Sequence, residues 1–197
     1  MSQLFRNKYR ITSTRLQSWN YANPGMYFIT ICTKNHAHYF GEIVVADAQC
    51  NAYLRQSAIG QIAHSEWLKT PEIRPDMNLQ LGEFVIMPDH MHGIVIIGDN
   101  HHRRDAMHRV SDSNPDETQF RDAMHCVSTI APQSKNLASI IRGYKSAVTT
   151  FARKNGILFD WQPRYYDHII RSMDEYERIS EYIVNNAYKW AQKNNKI

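Results

Sequence analysis

The sequence predicts an α+β fold, an antiparallel sheet with helices packed mainly on one of its faces. Two observations lead to this class. Short runs rich in β-branched and aromatic residues occur between longer runs whose apolar residues recur at helical spacing. Two of the strand-like runs are separated only by a Pro-Asp pair, which favours antiparallel neighbours joined by a tight connection.

The first half of the chain contains four strand-like runs and one helical run. The helix is predicted over 57–70, where Ile59, Ile62 and Trp67 recur at helical spacing and Pro71 ends the pattern. The strand-like runs, rich in β-branched and aromatic residues, lie at 25–33, 39–45, 79–89 and 90–99.

The second half of the chain contains two helical runs with one strand between them. A helix with a basic outer side is predicted over 136–156. A strand is predicted over 161–171. The final helix is predicted over 172–193, where Ser172 and Glu175 have the spacing of a capping box.

The 197 residues are predicted to form a single domain, because a chain of this length can bury one sizeable core. Two segments differ from the rest in composition. Residues 1–24 form a basic N-terminal arm. The polar residues 100–134 are predicted to be an expanded surface loop, which contains the short duplication "RDAMHRVS" and "RDAMHCVS". One duplication is too little for a solenoid, which needs several stacked repeats.

Cysteine usage and hydropathy predict a cytoplasmic protein. The three cysteines are scattered and none belongs to a Cys-x-x-Cys pair, so we expect free thiols in a reducing compartment. The N-terminal residues lack the apolar stretch of a signal peptide, and no window is long and apolar enough to span a membrane. We therefore expect no membrane partner.

The net charge of +4 is modest, but the basic residues are unevenly distributed. Residues 1–41 and 135–154 contain no acidic residue, and both stretches combine lysines and arginines with aromatic residues such as Trp19, Tyr21 and Tyr144. The phosphates and bases of a nucleic acid would suit this combination. Two solvated basic faces explain the charge pattern equally well.

His90 and His92 stand one residue apart in an otherwise apolar run, "FVIMPDHMHGIVII". Side chains alternate along a strand, so both imidazoles emerge on one face and can share a metal ion. Taken alone, the pair is better explained as two histidines bonded to backbone groups, because a metal needs a further donor. Ile94 at the next alternate position disfavours a histidine-triad hydrolase. His36 and His38 have the same spacing but lie in a polar turn, so we expect them at the surface.

Tyr182 and Asn186 lie one turn apart on the final predicted helix. Both flank an apolar stripe that faces the core, so their side chains would point together towards the edge of the sheet. Taken alone, Tyr182 is better explained as a boundary residue with a packed ring and a solvated hydroxyl.

Several runs of the chain together resemble the REP-associated tyrosine transposases, a branch of the single-tyrosine HUH transposases. The runs that carry the resemblance include "YRITSTRLQSWNYANPGMYFITICTKN", "VIMPDHMHGIVII", "WQPRYYDHIIR" and "EYIVNNAYKW". The similarity extends from about Tyr9 to Trp190 and leaves out the loop at 100–134. It implies the HUH endonuclease fold, a ferredoxin-like sandwich with the histidines on a middle strand and the tyrosine on a C-terminal helix.

The resemblance also implies a role for each member of the motif. His90, His92 and Asn186 match the positions that bind a divalent metal, Mg or Mn, and Tyr182 matches the nucleophile. A phenol has an ordinary pKa near 10, so such a tyrosine needs a nearby base, cation or substrate oxygen. Asp89 is a departure, since related proteins often have Asn there. Ala187 is a second departure, at a position where many have Pro.

The activity implied by the resemblance is cleavage and rejoining of single-stranded DNA at or near a hairpin, through a 5′-phosphotyrosine and a free 3′-hydroxyl. Hairpin-bearing single-stranded DNA is the expected partner, and the protein is expected to act as a monomer or a homodimer. Two other functions stay open: a non-catalytic protein that binds such hairpins, and a metal-dependent hydrolase that uses water. The residues expected to contact DNA are Arg6, Lys8, Arg10, Arg15, Arg142, Lys145, Arg164, His168 and Arg171.

Overall fold

The computed structural model describes residues 16, 19–45, 52–99 and 135–194. None of the helices in this part of the chain is long and apolar enough to cross a lipid bilayer. The loop predicted at 100–134 lies outside the described residues, as does most of the arm predicted at 1–24. The basic arm residues that fall outside are Arg6, Lys8, Arg10 and Arg15.

Four strands form a central antiparallel sheet: β1 (Gly25–Cys32), β4 (Leu79–Ile86), β5 (His90–Ile97) and β6 (Tyr166–Ile170). Their order across the sheet is β4-β5-β1-β6, and this antiparallel sheet with helices packed on it confirms the predicted fold class. A separate antiparallel hairpin consists of β2 (Gly41–Val45) and β3 (Ala52–Gln56). The helices are α1 (Ala58–Leu68), α2 (Thr70–Ile73), α3 (Leu137–Lys154), α4 (Met173–Val184) and α5 (Asn186–Lys193).

One face of the sheet packs against α1 and α3. Alternate residues of β1, among them Tyr27, Ile29 and Ile31, are fully buried on this face. They lie in one apolar cluster with Trp67 of α1 and Tyr144 of α3. This cluster is the main core, and it makes the central strands a rigid base for the opposite face.

The opposite face packs against α4, so the expectation that the helices lie mainly on one face is wrong. Ile94 of β5, Ile170 of β6 and Ile183 of α4 are buried together there. The reason is visible in β5, where five successive residues from Met91 to Val95 are buried. Burial of successive rather than alternate residues is typical of a strand that is covered on both faces.

The helix predicted over 172–193 consists of two helices. α4 ends at Val184, and Asn185 has φ −82° and ψ 1°, which is outside the helical region. After this break, α5 buries Ala187 and Ala191 in a cluster with Ile43 of the β2–β3 hairpin. Because of this break, the apolar residues before Asn185 pack against the sheet, and those after it pack against the β2–β3 hairpin.

Other boundaries also differ from the predicted ones. β3 was not predicted, because its sequence "AYLRQ" is only partly apolar and it pairs with β2 alone in the described part of the chain. Only Tyr166–Ile170 of the strand predicted at 161–171 pairs as a strand, while Trp161 forms an isolated bridge with Thr33. Half of the capping box forms: the Ser172 hydroxyl accepts from the Glu175 N–H, but the Glu175 carboxylate bonds elsewhere.

Candidate active site

His90 and His92 lie on the α4 side of the sheet, next to the apolar cluster that α4 covers. The antiparallel register pairs His92 with Thr30 of β1 and His90 with Cys32. Residues paired directly across an antiparallel sheet share a face. The two imidazoles therefore stand side by side on a rigid floor, with ring centroids 4.7 Å apart.

His92 is buried and held from two sides. Its Nδ1 lies 2.8 Å from the hydroxyl oxygen of Thr30. Its ring stacks on Phe28 with the centroids 5.3 Å apart. Burial, helped by the charge of His90, lowers the pKa of His92 to about 3, so the imidazole is neutral at physiological pH.

His90 is oriented by the neighbouring carboxylate. Its Nδ1 lies 2.6 Å from one oxygen of Asp89, and the other oxygen lies 2.8 Å from Nδ1 of His36. Burial alone would raise the pKa of the Asp89 carboxyl, but the hydrogen bonds and charges of His90 and His36 outweigh it and the pKa is lowered. Asp89 is therefore an anion that connects an exposed histidine to a site histidine.

The two histidines fit the requirements of a divalent metal ion. Ligand histidines usually use one ring nitrogen for a carboxylate or hydroxyl partner, which orients the other towards the metal. His90 and His92 have such partners at Nδ1, so their Nε2 atoms are the candidate ligands. The neutral state of His92 also suits metal binding, because a protonated imidazole has no lone pair to offer.

Further donors are needed, because the described residues contain no cluster of three or more His, Cys, Asp or Glu side chains that could hold a metal. Asn186, the first residue of α5, is buried with 8% of its surface exposed. Its side chain forms no hydrogen bond within the described part of the chain, and its amide oxygen stays the third ligand that the resemblance predicts. Two nitrogens and one amide oxygen would leave positions for water or phosphate oxygens.

Tyr182 reaches the histidines from the last turn of α4. Its hydroxyl oxygen is 3.3 Å from Nε2 of His92, and the side chain is 41% exposed. Lys189 of α5 lies over the Tyr182 ring, with its ammonium nitrogen 5.6 Å from the ring centroid. The site thus combines the hydroxyl of a partly exposed tyrosine, two imidazoles and a lysine, groups that are chemically suited to attack on a phosphate.

The remaining residues predicted to contact DNA are spread over two faces of the sheet. His168 lies on the same face as the site, since it pairs with Phe28, and its Nε2 is 2.8 Å from the Glu175 carboxylate. Arg164, just before β6 in the chain, and Arg171, just after it, are both exposed. Arg142 is exposed on α3, which packs on the opposite face.

Lys145, also on α3, is part of the internal structure. Its ammonium group donates to the backbone oxygens of Gln162 and Arg164 at 2.8 and 2.6 Å, which uses two of its three N–H groups. Burial lowers its pKa to about 8. Tyr144, expected among the residues that stack with bases, is 4% exposed and packs edge-on against Trp67. Burial makes Tyr144 a core residue.

Several residues that contact the site were not predicted from the sequence. His36 was expected only to be a surface residue, and it is exposed, but it also bonds to Asp89. Asp89 adjoins His90 in the sequence, so a carboxylate next to a candidate ligand was an available signal. Thr30, Phe28 and Lys189 had no such signal, because only the strand register and the placement of α5 bring them to the site.

Removal of the Asp89 carboxylate is expected to weaken metal binding. Asp89→Ala deprives His90 of its orienting partner, so we expect the Mn²⁺ concentration for half-maximal binding to rise by about 10- to 100-fold. Asp89→Asn keeps one oxygen for His90 and should fall between the wild type and Asp89→Ala. Isothermal titration with Mn²⁺ measures the effect. Asp160→Asn, which removes an exposed carboxylate bound to Lys34, is the control, and unchanged Mn²⁺ binding in Asp89→Ala would refute the role of this carboxylate.

Comparison with known proteins gives a sequence relative and solved structures of similar fold. The chain is 38% identical over 184 residues to an uncharacterised protein of Haemophilus influenzae, which covers 91% of this chain and 89% of that protein. No protein-family model matches the chain. The fold is similar to the solved structure of a REP-associated tyrosine transposase bound to a REP hairpin, with a TM-score of 0.54 and 17% identity over 91% of this chain and 74% of that one.

Proposed function

We propose that this chain, which belongs to the same protein family as the Haemophilus influenzae protein and has the fold of a REP-associated tyrosine transposase, cleaves and rejoins single-stranded DNA. The supporting observation is the 3.3 Å approach of the Tyr182 hydroxyl to Nε2 of His92, across 90 residues of sequence. A reactive hydroxyl beside paired imidazoles on a rigid strand supports covalent phosphoryl transfer.

In the proposed reaction Tyr182 is the nucleophile. Its oxygen forms a bond to phosphorus, the bond from phosphorus to the 3′-oxygen breaks, and the 3′-oxygen leaves as a hydroxyl after taking up a proton. The phenol proton passes to solvent or to a phosphate oxygen. Lys189 would stabilise the negative charge that develops on the phenol and phosphate oxygens. Since the phosphotyrosine keeps a phosphodiester bond, attack by another 3′-hydroxyl reverses the step and rejoins DNA.

A divalent ion, Mg²⁺ or Mn²⁺, would be held by His90, His92 and Asn186. When bound it would polarise the scissile phosphate and stabilise its developing charge. Nε2 of His92 has one lone pair, so an ion bound there would replace the contact with the hydroxyl and leave Tyr182 beside the ion. Phe28 supports both rings, since it stacks on His92 and meets Tyr182 edge-on at 6.3 Å.

Single-stranded DNA with a hairpin is the proposed substrate. The solved transposase of similar fold was bound to a REP hairpin. In this chain the edge strand β6 lies on the far side of β1 from the histidines, and exposed Arg164 and Arg171 stand at its two ends. His168 lies between them on the face of the site. The two arginines would hold the phosphates on either side of the cleavage point.

A covalent adduct is the decisive observation. The protein is incubated with Mn²⁺ and a hairpin DNA that has single-stranded flanks and a label at its 3′ end, and the products are separated under denaturing conditions. We expect a labelled protein–DNA adduct, absent with chelator and absent for duplex DNA of the same sequence. Binding without an adduct would instead support a hairpin-binding protein, and cleavage without an adduct would support a hydrolase that uses water.

A further inference from the structure

Tyr166, the first residue of β6, lies in line with the candidate site. In the sheet register Thr30 of β1 pairs with His92 on one side and with Tyr166 on the other. The three residues therefore form one row on the same face of the sheet. With strands about 4.8 Å apart, the backbone of Tyr166 is about 10 Å from that of His92.

The Tyr166 ring is half exposed although it adjoins the aromatic residues of the site. Its side chain is 50% exposed. Its ring meets Phe28 edge-on with the centroids 6.3 Å apart, and Phe28 in turn contacts the rings of both His92 and Tyr182. An aromatic surface thus continues from the nucleophile to β6, the last strand of the sheet in the described part of the chain.

This surface matches a DNA base in chemistry and position. Bases stack on exposed aromatic rings in proteins that bind single strands, and the phosphates follow nearby cations. Exposed Arg164 and Arg171 stand at the two ends of β6. A strand whose phosphate lies at Tyr182 would continue over Tyr166 towards one of these arginines.

We propose that Tyr166 stacks with a nucleobase of the DNA strand adjacent to the cleaved phosphate, an inference that rests on the proposed function. The stacked base would hold the strand so that its phosphate stays next to Tyr182. Tyr166 is then a positioning residue for DNA, and its ring rather than its hydroxyl supplies the interaction.

The test couples a change in the protein to a change in the DNA. Binding of a REP hairpin DNA with single-stranded flanks, the kind of DNA bound by the solved transposase of similar fold, is measured by fluorescence anisotropy. The same DNA is also prepared with an abasic site at each flanking position in turn. We expect Tyr166→Ala to weaken binding of intact DNA by about 5- to 100-fold and Tyr166→Phe to have little effect. On the one DNA whose abasic site removes the stacked base, Tyr166→Ala and the wild type should bind equally.

Tyr53→Ala is the matched control, because Tyr53 is 53% exposed on β3, in the separate hairpin. An equal loss on every abasic DNA, or no loss in Tyr166→Ala, would overturn the inference. If the wild type forms the covalent adduct but the Tyr166→Ala loss is the same at every abasic position, the inference alone fails. If the loss disappears at one position but no adduct forms, Tyr166 still stacks with a base and only the proposed cleavage fails. A wild type that binds none of these DNAs overturns both.

Discussion

Tyr182→Phe is expected to abolish the covalent protein–DNA adduct while leaving DNA binding nearly intact. The substitution removes only the hydroxyl oxygen, which is the atom proposed to form the bond to phosphorus. The ring contacts with Phe28 and His92 should remain. Since one hydrogen bond contributes about 0.5–1.5 kcal/mol, binding should weaken by less than about tenfold. Denaturing gels measure the adduct, and fluorescence anisotropy measures binding.

The control for this experiment is Tyr188→Phe. Tyr188 is 37% exposed on α5, close to the 41% of Tyr182, and its hydroxyl accepts a hydrogen bond from Gln192. Because this hydroxyl bonds to Gln192 and not to a site histidine, the Tyr188→Phe variant should form the adduct at the wild-type level. Adduct formation by Tyr182→Phe, or its loss in Tyr188→Phe, would contradict the assignment of the nucleophile.

Substitution of either site histidine is expected to have the second large effect. His90→Ala and His92→Ala each remove a proposed ligand, so Mn²⁺ affinity should fall by more than the roughly 10- to 100-fold loss that follows removal of a ligand's hydrogen-bond partner. Adduct formation should fall to background at Mn²⁺ concentrations that saturate the wild type. Isothermal titration measures the affinity, and the adduct gel gives an independent readout.

The chain contains a natural control for these variants. His38 belongs to a histidine pair with the same spacing, but it lies outside the strand and its ring packs against Trp190. His38→Ala should bind Mn²⁺ like the wild type. Thermal melting separates loss of a ligand from loss of the fold, since His92 is buried. Wild-type Mn²⁺ affinity in a folded His92→Ala would show that Mn²⁺ binds elsewhere.

Much of the fold could be predicted because its signals are local. The apolar run around His90 and the helical spacing in α3 are each contained in one short segment of the sequence, and both elements are present in the structure. β3 had no such signal, since it alternates exposed residues such as Tyr53 and Arg55 with partly buried ones and is defined mainly by pairing with β2. The two-sided burial of β5 likewise depends on α4, whose position no local pattern reveals.

The sequence by itself determined that His90 and His92 share a face, because side chains alternate along any strand. It also predicted Tyr182 and Asn186 on one helix, but the break at Asn185 places Tyr182 on α4 and Asn186 on α5. Only the tertiary structure decided that the Tyr182 hydroxyl meets His92, that Asp89 bonds to His36, and that Tyr166 stands in line with the site. Strand register and helix position depend on packing between distant segments, so these contacts exist only once the core has formed.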